Sequence, residues 1–293
     1  MIVYYKIILT MPHRPWIGEK MYILGAVLEK NQAKVALYDK NYNLLLKKEG
    51  TCTDLSKICM DTISEVGVKP ADVVYIGIAA DGNFNINDVL TDLENNTGIK
   101  CISAPVICAR TLGEAYISND IPSLFMLKID DTVESAVVID KKIYSGIGKP
   151  GDNIAHMVIN NGGFECTCGR KGCFEAYASN TGLRRIAALS GVDNADSITH
   201  KELFEMNTPA AEQAKKLYVE YLASGITDII NLYQTHELVL DGPFTKVGDT
   251  LTAPMIDIIN RKQYTKDSPN KCKIRYSDND DDTVLIGAAL LGR

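Results

Sequence analysis

The chain has 293 residues, of which 46% are hydrophobic and 23% charged, with a formal charge of -6. At that length two domains, or one large domain with a cleft, are expected, and the composition is that of a globular protein rather than a disordered or membrane one. A net negative chain lacks the clustered Lys and Arg that neutralise phosphates, so nucleic acid is not an expected partner, and neither is a membrane.

Met1–Lys20 holds one apolar run, Ile7 to Met11, which is too short to span a bilayer and has no cleavage site after it. It reads as an extra strand or a start-site extension ahead of Met21. From there Tyr22–Leu28, Ala33–Tyr38 and Asn43–Leu46 are apolar, β-branched runs separated by turn residues, the signal of strands. Leu55–Val66 has helical period and leads into a buried strand at Val73–Ala79. Antiparallel strands followed by a crossover to a parallel one fit an α/β lobe.

The pattern restarts at Leu124–Ile129, followed by Ser135–Asp140 and a Lys141-Lys142 turn into Ile143-Tyr144. A second such opening predicts a duplicated lobe, with the boundary between Asn119 and Ser123. Residues 1–120 with 277–293 would form an N-terminal lobe, and 121–276 a C-terminal one. Beyond Ser179 the period is helical, notably over Ala210–Tyr233, before a strand at Leu238–Leu240. Asp278 to Asp282 reads as a solvated cap on a closing apolar helix, Thr283–Leu291.

Eight cysteines without a signal segment point to a reducing compartment, the cytoplasm, where close-set thiols bind metal more often than they form disulfides. Cys52, Cys59, Cys101, Cys108 and Cys272 are scattered among apolar neighbours and read as buried small hydrophobes. His156, Cys166, Cys168 and Cys173 instead lie within eighteen residues of a Gly- and Asn-rich stretch. Three thiolates and an imidazole are the ligand set of a closed, structural, tetrahedral Zn²⁺ site in a loop over 156–173.

The segment Ile154-Ala155-His156-Met157-Val158, followed by Cys166-Thr167-Cys168-Gly169-Arg170-Lys171-Gly172-Cys173-Phe174-Glu175 and Ser179, resembles the signature of the ROK (repressor, open reading frame, kinase) class. Weaker similarity covers most of the chain beyond Met21. The resemblance implies a two-lobed, actin-like (ribonuclease H-like) ATPase fold carrying a structural zinc loop. It also implies a homodimer, a sugar bound in the cleft and ATP between the lobes. Asn153, His156 and Glu175 occupy the positions of the family's sugar contacts.

The kinase motifs of that family are not kept here. Its first phosphate turn, D-x-G-G-T, falls on Val27, Leu28, Glu29, Lys30 and Asn31, and its second, rich in glycine, on Asp130 to Ala136. Side chains with a Cβ crowd the approach of backbone to phosphate, and a triphosphate would be repelled by Asp130, Asp131 and Glu134. The Asn-Asp pair that carries the catalytic base falls on Pro105 and Val106, neither of which can take a proton. The chain therefore reads as a catalytically degenerate, sugar-kinase-like binding or regulatory module. The alternative is an ATP-dependent, glucokinase-like kinase of hexoses or aminosugars, which would use ATP and Mg²⁺. Repression of transcription, also found in the family, would need a DNA-binding helix pair, and twenty residues with Pro12 and Pro15 are not expected to supply it.

Overall fold

The computed structural model describes residues 21–82, 84–144, 154–264, 267, 271–277 and 280–293. The reading of Met1–Lys20 and that of Asn153 lie outside these residues. The chain runs β1 (Tyr22–Glu29), β2 (Gln32–Asp39), β3 (Leu44–Thr51), α1 (Leu55–Glu65), β4 (Val73–Ala80), α2 (Ile86–Thr97), β5 (Cys101–Ala104), α3 (Val106–Ile117), β6 (Ser123–Ile129), β7 (Val133–Ile139), β8 (Lys142–Ile143), α4 (Glu175–Ala178), α5 (Asn180–Leu189), α6 (His200–Glu205), α7 (Pro209–Tyr233), β9 (Glu237–Asp241), α8 (Asp249–Lys262), β10 (Lys273–Tyr276) and α9 (Asp281–Ala289). The described residues gather into two compact units, one drawn from 21–122, 140–143 and 280–293, the other from 123–139 and 144–277. Among them no helix is long and apolar enough to cross a membrane.

In the first unit the strand order is β3-β2-β1-β4-β5. β1 and β2 pair antiparallel, whereas β4 lies parallel to β1 and β5 parallel to β4. Alternation sends Leu24, Ala26 and Leu28 into a core with Ile58, Ile63 and Leu93 of α1 and α2, while Gly25 turns to the opposite face. There a Cβ on Gly25 would fall 2.2 Å from Leu285 O, and one on Gly77 1.9 Å from Ala288 O. The same closeness joins α3 and α9, where a Cβ on Gly287 would lie 1.7 Å from Ala109 O. Helix α9 therefore seats its backbone directly on the sheet and on α3, which only glycine allows.

At the start of α9 the Asp280 carboxylate accepts from Asp282 N at 3.1 Å, the cap that the acidic run suggests. Asp281 and Asp282 are also ion-paired, with Lys34 and Lys47 respectively. Strand β3 runs further than the expected Asn43–Leu46, because pairing with β2 carries the polar Lys47–Thr51 into the ladder as an edge.

In the second unit the strands run β10-β9-β6-β7, with β6 antiparallel to β7 and parallel to β9. Its core joins Phe125, Leu127, Leu238 and Leu240 of the sheet to Tyr218, Leu222, Ile226 and Ile229 of α7 and to Phe174. Thr208 caps α7 by accepting from Ala211 N, and Pro209 occupies its first turn, so the long helix starts where its sequence says it should. Of the five scattered cysteines, Cys59, Cys101 and Cys108 are buried as expected, but Cys52 and Cys272 are only half-buried. Cys52 flanks an edge strand and Cys272 precedes a short one, so neither is covered on both sides.

Candidate metal centre

Between Ile154 and Phe174 the backbone folds back on itself through antiparallel bridges at Val158↔Cys173 and Glu165↔Lys171. Gly169 (φ 84°) closes the tip, with its N–H donating to Cys166 O at 3.0 Å and Cys166 N to Arg170 O at 2.9 Å. Gly172 (φ 84°) brings the return strand so near that a Cβ there would sit 1.9 Å from Asn160 O. The base of the loop is fastened to the core: Phe174 is fully buried, and the Tyr177 hydroxyl accepts from Phe164 N and from Asn160 Nδ2, each at 2.9 Å. The rings of Phe164 and Tyr177 stack with centroids 4.5 Å apart.

This folding brings together the four expected ligands. Their donor atoms all lie within 4.8 Å of one another, with Cys166 Sγ 3.5 Å from His156 Nδ1 and Cys168 Sγ 3.6 Å from Cys173 Sγ. Bond lengths of about 2.3 Å to sulfur and 2.0–2.1 Å to nitrogen give a zinc tetrahedron edges of about 3.5–3.8 Å. The donor set fits Zn²⁺, and the 3.5 and 3.6 Å separations match two of those edges.

The electrostatics of the loop fit it too. The Cys168 thiol is brought down to about 6, first by the backbone N–H of Arg170 and then by its guanidinium. Burial pushes the Cys173 thiol up to about 12, so a cation must displace its proton. Three thiolates around Zn²⁺ would leave a net negative charge, which Arg170, whose Nη2 also donates to His156 O at 2.8 Å, would offset.

Glu175 stands beside this cluster, with Oε1 3.9 Å from Cys166 Sγ. Both its oxygens are engaged: Oε2 accepts from Val133 N at 3.1 Å and Oε1 from Thr167 Oγ1 at 3.2 Å. The carboxylate thus ties the loop to the first residue of β7.

The positions aligned with kinase motifs can also be placed. Lys30 and Asn31 form the two-residue turn between β1 and β2, and Lys30 has φ 54°, the left-handed backbone that suits a glycine. Between β6 and β7 the Asn180 amide donates to Asp130 Oδ1 at 2.8 Å and Asp131 Oδ1 at 3.0 Å, holding two carboxylates together. Val106 is the first residue of α3 and is 8% exposed; its N–H donates to Asp81 Oδ1 at 3.3 Å. Sequence reasoning did not single out Asp81 or Asn180. The signal for Asp81 is a carboxylate directly after a buried strand; for Asn180 it is an amide opening a helix after the Ser179 cap.

A further pair went unnoticed in the sequence. His200, 3% exposed, donates from Nε2 to the Tyr218 hydroxyl at 2.8 Å, which in turn donates to Ala178 O at 2.7 Å. Burial brings the imidazole down to about 4, against the opposing pull of the Asp130 carboxylate.

Comparison with known proteins places these features in context. A model of the ROK family matches residues 31–293. The chain is 28% identical to a glucokinase of Halalkalibacterium halodurans over 56% of its own length and 54% of that protein's. It is 21% identical to a xylose repressor of Caldicellulosiruptor bescii over 61% of its length and 48% of the repressor's. The chain thus spans about half the length of these two curated relatives. Among solved structures, a ROK hexokinase from Thermus thermophilus superposes with a TM-score of 0.76 at 20% identity, over 92% of this chain and 98% of that one. At that identity the likeness is one of fold, the actin-like fold of ROK sugar kinases.

Proposed function

Because the chain belongs to the ROK family, we propose that it is a zinc-bound, sugar-kinase-like protein that has given up phosphoryl transfer and acts in the cytoplasm as a binding or regulatory module. The observation that carries this reading is Val106, an apolar, 8% exposed side chain at the position aligned with the family's base. A positioned base contributes about 10²–10⁴-fold to a proton transfer. The acidic turn at Asp130 and Asp131 supports the reading, since carboxylates repel a triphosphate. His156, Cys166, Cys168 and Cys173 would hold the metal, whose contribution is to order the loop. Glu175 and His156 at the loop base, with Asn153, remain the candidates for contact with a sugar. A homodimer with no nucleic-acid or membrane partner completes the proposal.

One observation favours the other reading, an ATP- and Mg²⁺-dependent kinase of hexoses or aminosugars. Asp81 sets a carboxylate beside Val106 N, where it could serve as a substitute base. Calorimetric titration with Mg-ATP and a coupled assay over glucose, mannose, fructose and N-acetylated aminosugars decide between them. No ATP binding and no turnover are expected, and Val106→Asp should not rescue activity, because the phosphate turns stay altered. Micromolar ATP affinity, or turnover that Asp81→Asn abolishes, would establish the kinase instead.

A further inference from the structure

We propose that Cys168 and Cys173 form a peroxide-operated release device for the metal: oxidation joins their sulfurs and removes half of the ligand set. The inference rests on the zinc reading of the loop. The two sulfurs lie 3.6 Å apart, and a disulfide needs about 2.05 Å, so one must travel about 1.5 Å.

The loop is asymmetric in a way that decides which sulfur moves. Cys173 is fully buried, bridged to Val158 and preceded by Gly172, which is wedged against Asn160 O. Cys168 is exposed, at the tip of the loop. The residue after it, Gly169, faces open space at its Cβ position. Solvent oxidants therefore meet the exposed Cys168 sulfur first, with a buried second thiolate directly behind it. That is the arrangement of an attacked and a resolving cysteine.

The chemistry balances with hydrogen peroxide as the oxidant. The Cys168 thiolate attacks one peroxide oxygen, the O–O bond breaks, and a sulfenic acid forms as hydroxide leaves. The Cys173 thiolate then attacks the Cys168 sulfur, forming the S–S bond and releasing a second hydroxide. The two sulfurs together lose two electrons, which reduce the peroxide. His156 and Cys166 alone are too few ligands for a closed site, so the ion leaves.

The test treats the zinc-loaded full chain with hydrogen peroxide beside a chromogenic chelator, then maps peptides without reduction. Loss of about one equivalent of Zn²⁺ per chain is expected, with a Cys168–Cys173 link, and thiol reductant plus zinc should restore the starting state. Three results overturn the inference: metal retained while other thiols oxidise, a link that includes Cys166, or release accompanied by a sulfinic acid at Cys168. Mapping the unaltered chain keeps the test valid even if Cys168→Ser fails to fold. Metal analysis beforehand separates the two levels, since a chain that takes up no zinc removes both readings, whereas zinc lost by another route removes this one alone.

Discussion

Stripping the metal should disorder the loop and lower the stability of the unit that carries it. Ordering the ten residues 164–173 costs about 1–2 kcal/mol each, or roughly 10–20 kcal/mol together. Structural Zn²⁺ in small peptides returns about 10–16 kcal/mol at neutral pH, so bound metal would about offset that cost with little to spare. Phe174 and Tyr177 are anchored in the core independently, and they should keep α4 and α7 in place. Free zinc at about a thousand times its dissociation constant stabilises the native state by about 4 kcal/mol. For a unit of this size that moves Tm by roughly 10–15 °C. Thermal unfolding before and after chelation gives the shift, and thiol titration gives the locality. Cys166, Cys168 and Cys173 should become reactive, whereas the buried Cys59, Cys101 and Cys108 should not. Less than half an equivalent of zinc in protein purified without chelator would refute the reasoning. So would a Tm shift under about 2 °C on stripping.

His200 makes stability pH-dependent in a defined window. The unfolded chain binds its proton near the ordinary 6.5 and the folded one only near 4, so this contribution is complete above pH 6.5 and is lost as pH falls towards 4, by about 3 kcal/mol. Urea midpoints of His200→Gln should show a flatter slope across that window, and an unchanged slope would discard the assignment. Gly287→Ala should destabilise the first unit by about 1–3 kcal/mol, since its Cβ would meet Ala109 O; a Tm within about 1 °C of the parent would mean that α9 is not seated as described. Light scattering at micromolar concentration should give twice the 32.2 kDa of one chain, and a mass near 32.2 kDa would end the homodimer proposal.

What could be read in advance depended on how local the signal was. The loop ligands were legible because four ligand-type residues in eighteen positions have few other uses, and the glycines between them match the turns they make. Period alone located β4, β6 and α7, whose burial is nearly uniform or one-sided. Strand β5 has four residues and β10 carries Lys273 and Arg275, so neither offers a run long enough to count. The polar end of β3 was invisible for another reason: its ladder comes from β2, not from its own side chains. Asp81 and Asn180 escaped because their partners, Val106 and the Asp130-Asp131 pair, lie twenty-five and about fifty residues away.

The seating of α9 on β1 and β4 also sets an order of assembly on the ribosome. The face of the sheet bearing Gly25 and Gly77 is closed by residues 281–289, which are translated some two hundred residues after β4. Residues 123–139 and 144–277, by contrast, are nearly contiguous in the chain and emerge before that helix. The second unit can therefore condense while the first still lacks α9 on that face of its sheet, and domains generally fold as they are made. For that interval the Gly25 and Gly77 face waits on residues 281–289 to be covered.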